Sequence, residues 1–409
     1  MPKPSDASAA KPDLLMVSPE APFPMVGGGA TRTASLIEFL ARRYHVDLIL
    51  FAEAGAPDPA IQIPPGIVRQ VWTICLPRHS RTLPARISRN FVRYVRWMPP
   101  LMDRFQGFES EMAGLIEGRC YQTALIEHFW CARYLHVLQA HSDEVWLDLH
   151  NVESVWHERL AASEKGPART ALRRFAHACR AQERELLPRF SGILVPSEND
   201  AAGIAPAVGD TPAVVYPNAL PRVDPLPRGD DDAIIFTGNL EYPPNVRAVE
   251  WFFRQVWPAL RDSHPGLVWR IVGKNPHSIP RHIRNSARVE VIGPVENAIA
   301  ELAIAKVAVV PLLAGSGTRF KILEAWAAGT PVVSTAIGAE GLGAEHQRNI
   351  LIADDPSDMS ETIAGLLQSG ERRAAIGAAG RERYWECFTW DVAWRALESS
   401  SFCGNRTLY

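Results

Sequence analysis

Residues 312–334, LLAGSGTRFKILEAWAAGTPVVS, set a glycine turn beside two cations and one carboxylate. The turn holds Gly315, Ser316, Gly317 and Thr318; Arg319, Lys321 and Glu324 follow it. VAVVPL reads as a strand before the turn and TRFKILEAWAA as a helix after it. Glycine lets a ligand approach the backbone closely. Amides at the start of a helix, with its dipole, favour a phosphate, and Arg319 and Lys321 add charge-assisted hydrogen bonds. Glu324, about one and a half turns in, is badly placed for phosphate and well placed for a ribose diol. A ligand with a diphosphate and a ribose would use every one of these groups. The plainer alternative is a strand–helix turn with a surface arginine and lysine, one of them paired to the glutamate.

Groups of this kind need a scaffold. Short apolar runs recur along the chain, each followed by a helical stretch. DLLMVS, VDLILF, TALIEHF, VWLDLH, GILVPS and AVVYPN fill the first half, and AIIFTG, LVWRIVG, VEVIG, VAVVPL, PVVST and NILIA the second. Such runs suit parallel strands buried on both faces. TRTASLIEFLARRY and NVRAVEWFFRQVWPALRDS are amphipathic helix patterns, as is the aromatic RERYWECFTWDVAWRALES near the end. Strand alternating with helix predicts an α/β doubly wound sheet, and two series predict two Rossmann-like domains. The proline- and acid-rich YPNALPRVDPLPRGDDD marks the junction. The expected segments are a disordered tail over 1–12, domains over 13–218 and 219–385, and a crossover helix and tail over 386–409. Ligands of open α/β sheets bind beyond the strands' carboxyl ends.

Composition narrows the field. The net charge of −2 over 409 residues argues against a general nucleic-acid binder. The six cysteines form no C-x-x-C pair and no zinc spacing, so reduced thiols and a cytoplasmic setting are expected. The opening residues lack the apolar core of a secretory signal, and no run is long and apolar enough for a membrane span. GDDD, residues 229–232, matches the D-x-D of metal-dependent transferases but precedes a strand, and reads as a solvated acidic loop. RHSRTLPARISRNFVRYVRWMPPLMDRF carries seven arginines and a single acid, Asp103, interleaved with apolar residues. It suits an anionic membrane surface or a charged acceptor; the bland reading is a solvated helix with an apolar underside.

GSGTRFKILEAWAAGTPVVST resembles the donor-binding signature of glycosyltransferase family 4. PFPMVGGGATR, LDLHNVES, VPSEND, YPNAL, FTGNLEYPPNVRAVEWF, VEVIGPV and IGAEGL agree with that family in order. The resemblance covers nearly the whole chain after the first dozen residues and is specific as a set. It implies the GT-B fold: two Rossmann-like domains facing each other across a cleft, the C-terminal helix crossing back to the N-terminal domain. It also implies a retaining transferase that uses a nucleotide-diphospho-sugar, UDP-sugar slightly favoured, with a hydroxyl acceptor and no metal or other cofactor. Polysaccharide or glycolipid assembly, in the cytoplasm or at the inner membrane face, is the implied setting.

The resemblance assigns residues as well. Gly27, Gly28 and Gly29 form the second wall of the diphosphate site, with Arg32 facing phosphate or solvent. His150, with Asn151, lies under the donor sugar, and His128 and Glu127 at another strand end face the same space. Gly293, Pro294 and Val295 meet the nucleotide base through backbone. Gly238 and Asn239 end the first strand of the second domain. Arg319, Lys321 and Glu324 hold diphosphate and ribose as the residues alone suggest, with Gly315 to Thr318 cradling the phosphates. Two departures stand out. The family's earlier glutamate, eight positions before Glu324, is Ser316 here, and GNLEYPPN replaces the usual basic pair. Ser316 keeps open a catalytically silent nucleotide-sugar-binding or partner subunit, and, further off, a nucleotide-sugar epimerase.

Overall fold

A computed structural model describes residues 11–25, 27–80, 82–162, 164–314 and 319–403. The chain divides into two compact units. The first comprises Met1–Ser154, Arg174–Val195 and Ile204–Val214; the second comprises Val155–Arg173, Pro196–Gly203 and Val215–Tyr409. Three short stretches of the expected first domain, 155–173, 196–203 and 215–218, thus group with the second unit. Bonds such as Trp156 Nε1 to the Tyr242 hydroxyl (3.0 Å) and the bidentate Arg159–Glu340 pair tie one of them there.

The first unit is built on seven strands, β1 (Asp13–Ser18), β2 (His45–Glu53), β3 (Gln70–Leu76), β4 (Tyr121–Glu127), β5 (Ser142–Asp148), β6 (Gly192–Val195) and β7 (Ala213–Val215). They are ordered β3-β2-β1-β4-β5-β6-β7. Leu14 to Val17 of β1 are fully buried, as a central strand covered on both faces requires. β3 was not among the expected runs. Its sequence, QVWTICL, alternates polar with apolar at the sheet edge and leaves every residue but Ile74 and Leu76 at least partly exposed. The second unit has β8 (Asp231–Thr237), β9 (Val268–Val272), β10 (Val289–Ile292), β11 (Ala305–Val310), β12 (Val332–Ser334) and β13 (Leu351–Ile352), ordered β10-β9-β8-β11-β12-β13. Each of these six matches an expected run. Every pair with a resolved register is parallel, for example β1 with β4 and β8 with β11. Both sheets reverse strand order beside their first strand, between β1 and β4 and between β8 and β11.

Three local expectations change. NVRAVEWFFRQVWPALRDS is two helices, Pro243–Gln255 and Trp257–Ser263, because Pro258 sits in the first turn of the second and has no amide to continue the first. The aromatic C-terminal pattern likewise breaks into Gly370–Cys387 and Trp390–Glu398. Thr389 between them is extended and bridges Leu220, whose amide donates to Phe388 O at 2.9 Å. Asp231 and Asp232 of GDDD open β8 rather than lying in a loop. Asp230, Asp231 and Asp232 pair with Arg373, Arg270 and Lys306. Cys75, Cys120, Cys131, Cys179 and Cys387 are all free thiols. No helix among the described residues is long and apolar enough to cross a membrane.

Candidate functional site

Both groups of predicted residues lie at a switch in strand order, one in each unit.

In the first unit Glu127 and Asp148 are register partners at the carboxyl ends of β4 and β5, and both are fully buried. Neighbouring buried carboxylates repel and lose hydration, so they persist only with cations between them. The helix Gly28–Ala41 supplies one. Arg32, only 2% exposed, reaches Asp148 with Nε at 2.8 Å and Nη2 at 2.5 Å. The sequence left it facing phosphate or solvent; the structure instead buries it against Asp148. His150 supplies the second. Its Nε2 donates to Glu127 Oε2 at 2.6 Å and lies 3.4 Å from Asp148 Oδ2. Thr33 Oγ1 donates to the same Glu127 oxygen at 3.0 Å.

These contacts set the protonation states. Burial by itself would lower the His150 pKa, but hydrogen bonds to Asp148 and Glu127 and their charges outweigh it and carry it up to about 9. Burial works against the Asp148 carboxylate too, yet the Arg32 charge and the His150 bond hold its pKa below the ordinary value. Glu127 is pushed up, first by burial and then by Asp148. His128 stacks on His150 (centroids 3.6 Å) and on Trp130 (4.1 Å). Burial, then the positive His150 and Arg32, keep it neutral. Its φ of +64° is unusual for a residue with a β-carbon.

Gly27 caps the helix and Gly28 begins it. A β-carbon on Gly29 would lie 3.4 Å from Glu20 Oε2, 3.7 Å from His150 Nδ1 and 3.9 Å from His128 Nε2. The second nitrogen of each imidazole is thus turned toward the glycine turn, and His150 Nδ1, protonated at neutral pH, is a hydrogen-bond donor there. Asn151 follows, half-buried. Glu127, Asp148 and His150 place ligand-type atoms within 4.8 Å of one another, as a metal site would. Arg32 takes both oxygens of Asp148, however, so the protein's own cations already balance this cluster.

In the second unit the helix Phe320–Ala327 follows β11, and Arg319 occupies its N-cap. Gly315, Ser316, Gly317 and Thr318 lie outside the described residues. Arg319 is buried and donates to Ile337 O at 3.4 Å; burial lowers its pKa. Lys321 Nζ donates to Asn245 Oδ1 at 3.2 Å and lies 5.6 Å from the centre of the Phe236 ring. Burial, then Arg319, bring the Lys321 pKa down to about 8 despite Glu324. Glu324 Oε2 accepts from Thr237 Oγ1 at 3.4 Å. Burial takes its pKa up to about 7, against the Lys321 charge and the Thr237 bond. Neither Lys321 nor Glu324 has an ion pair within 4 Å among the described residues.

Beside these groups β8, β9 and β10 each end on a glycine. A β-carbon on Gly273 would fall 1.7 Å from Gly238 O, and one on Gly293 2.1 Å from Gly273 O. Gly238 (φ +151°) also abuts Asn245 and Lys321. The three strand ends therefore pack backbone on backbone as a shelf without side chains between them. Gly238 and Gly293 belong to it; Pro294 and Val295 continue from it. Asn239 braces the edge, its carbonyl accepting from Asn245 Nδ2 at 2.8 Å.

Asp148, Asn245 and Thr237 escaped the sequence reading. Asp148 had a signal: an acid inside the apolar VWLDLH needs a buried partner. Asn245 and Thr237 had none, since neutral side chains announce nothing until the fold brings them to Lys321 and Glu324.

Residues 231–369 match a family model described as glycosyl transferases group 1. Over 381 residues the chain is 21% identical to an uncharacterized 44.6 kDa protein in the cps region of Klebsiella pneumoniae, covering 89% of this chain and 94% of that one. Sucrose-phosphate synthase from Thermosynechococcus elongatus superposes with a TM-score of 0.69 at 16% identity, over 94% of this chain and 97% of the other. HepE from Anabaena, in complex with UDP and glucose, gives 0.63 at 15% identity, over 95% and 98%. The fold is GT-B, with two parallel sheets and flanking helices.

Proposed function

We propose that the protein is a retaining glycosyltransferase moving a sugar from a nucleotide-diphospho-sugar, UDP-linked in preference, to a hydroxyl acceptor. The carrying observation is the group at the end of β11. Lys321 is held without a close carboxylate among the described residues, one turn from Glu324 and beside the glycine shelf, with the buried Arg319 capping the same helix. Burial drives each toward neutrality, and a dianionic diphosphate would restore the cations' charge. Glu324 would accept from the ribose hydroxyls while the base lies against Gly273 and Gly293. The group 1 model covers this segment, and HepE carries UDP on the same fold.

In the reaction the bond from the anomeric carbon to the diphosphate oxygen breaks, and the acceptor oxygen bonds to that carbon on the same face. The acceptor's proton passes to the departing diphosphate. Lys321 and Arg319 stabilise the charge that develops on the leaving group, the largest contribution expected of the protein, and no divalent metal is required. His150 Nδ1–H donates to a sugar hydroxyl, and neutral His128 flanks it. The cps-region relative favours polysaccharide or related glycoconjugate assembly.

The test is a thermal-shift screen of UDP-, GDP- and ADP-sugars, with and without EDTA, on wild type and Glu324→Ala. A ligand that binds only the folded state raises the melting temperature by mass action. A shift with one nucleotide family, unchanged by EDTA and lost in the variant, supports the reading and names the donor class. No shift with any of them overturns it. A shift without turnover or slow donor hydrolysis would favour the silent subunit, and product NMR would report the anomeric outcome.

A further inference from the structure

The helix Leu83–Val95 is turned inside out. Leu83, Ile87, Phe91 and Val95 recur every fourth residue along one face and are 67%, 60%, 66% and 53% exposed. The face that packs inward carries Ala85, Arg89 and Arg93 instead. Arg93 is buried against Asp103, with Nε to Oδ2 at 2.7 Å, and Arg89 donates to Ser80 O at 3.3 Å. The end of the helix is clamped by Arg174, whose guanidinium lies 4.6 Å from the Tyr94 ring centre and 3.9 Å from that of Trp97. An amphipathic helix normally buries its apolar stripe. Here the protein spends its buried contacts on arginines and leaves the stripe in water, on a scale monomeric surfaces rarely tolerate without a partner.

We infer that this face docks on an anionic lipid bilayer, with Leu83, Ile87, Phe91 and Val95 sunk into the headgroup–acyl boundary. Charge selects this occupant. Residues 78–105 carry seven arginines against one acid, in a chain whose net charge is −2. Arg93 takes that acid and Arg104 pairs with Glu53, while Arg78, Arg86, Arg89 and Arg96 have no carboxylate partner among the described residues. A second copy would bring the same positive surface against itself. An acidic protein would answer the arginines and leave the apolar stripe unexplained. A bilayer with anionic headgroups answers both, and Trp97 at the helix end is a residue type that prefers the headgroup level. The inference stands apart from the transferase reading, since it uses none of the donor-site residues.

The test is flotation of the full chain with vesicles of phosphatidylglycerol and phosphatidylethanolamine, against vesicles of phosphatidylcholine. Binding is expected on the anionic vesicles only, weakening as NaCl rises from about 0.1 M to about 0.5 M. The double variant Ile87→Ser/Phe91→Ser should lose about tenfold or more in partitioning, because affinity scales with buried apolar area. Both positions are exposed, so its circular dichroism and melting temperature should match wild type. Arg86→Glu/Arg96→Glu should lose binding to anionic vesicles by a similar factor. Wild type that fails to float, or floats no better than the Ile87/Phe91 variant, overturns the inference. So does a dimer by light scattering that Phe91→Ser dissolves, with no vesicle binding, because the face would then belong to a second copy.

Discussion

The two units share one topology and put charged residues at the same place in it, yet they use the charge in opposite ways. At the switch between β1 and β4, Arg32, Glu127, Asp148 and His150 answer one another within 3.4 Å. Every charge there has an opposite charge of the protein's own. At the switch between β8 and β11, Lys321 meets neutral Asn245 and Glu324 meets neutral Thr237. Burial therefore moves both pKa values toward the middle of the scale instead of apart. The first arrangement is a platform whose charges are balanced internally, with Glu127 Oε1 the one oxygen of its two carboxylates left without a hydrogen bond among the described residues. The second holds charge in reserve, which suits a ligand that arrives charged and leaves more so.

If the first cluster is structural cement, breaking it must cost stability. Arg32→Ala would strand the Asp148 carboxylate, and a loss of roughly 3–5 kcal/mol is expected in urea unfolding. A loss under about 1 kcal/mol would show that the cluster does not hold the unit together. The second cluster should show the reverse. Lys321→Ala should lower turnover roughly 100- to 1,000-fold, as removal of one pre-set donor to a developing oxyanion does, with an unaltered unfolding midpoint. Unchanged kinetics in that protein would remove the basis for the transferase assignment.

The pH dependences should differ as sharply. The folded His150 pKa, about 9, lies above its ordinary 6.5. Its contribution is therefore fully present below about pH 6.5 and lost as pH rises through about 9, worth about 3 kcal/mol at most. Unfolding free energy measured from pH 6 to 9.5 should fall over that window, and His150→Gln should flatten the slope. Nucleotide binding should instead peak in a narrow range. Below about pH 7 Glu324 takes a proton, and above about pH 8 Lys321 loses one. Titration calorimetry with UDP should find affinity falling on both sides, by about tenfold per pH unit at the extremes. Glu324→Gln should abolish the acid limb alone.

The smallest effect concerns the rims. Gly29→Ala needs Glu20 to yield only slightly, its Oε2 being 3.4 Å from the new methyl. It should raise donor KM several-fold with stability within about 0.5 kcal/mol of wild type. Gly273→Ala, which would press on a backbone carbonyl at 1.7 Å, should lower the stability of the second unit outright.

Much of this was legible in order along the chain. Six of six strands in the second unit and the helix of Arg319, Lys321 and Glu324 could be read from apolar runs, glycines and charge. Local sequence is enough for that, because strand burial and helix periodicity are short-range properties of composition. β3 was not legible, because an exposed edge strand alternates weakly and lacks a continuous apolar run. The helix breaks at Val256 and at Thr389 were hidden by amphipathic patterns that run through them.

What only the tertiary structure decided is who meets whom. The sequence left Arg32 open between phosphate and solvent; the register of β4 on β5 set Glu127 beside Asp148 and drew Arg32 inward to neutralise them. For the arginine-rich stretch it left open an anionic membrane surface, a charged acceptor or a solvated helix with an apolar underside; packing turned the apolar stripe outward, against the last of these. Composition sets the inventory of charges and apolar groups. Their worth depends on burial and on partners many residues away, and those are properties of the fold.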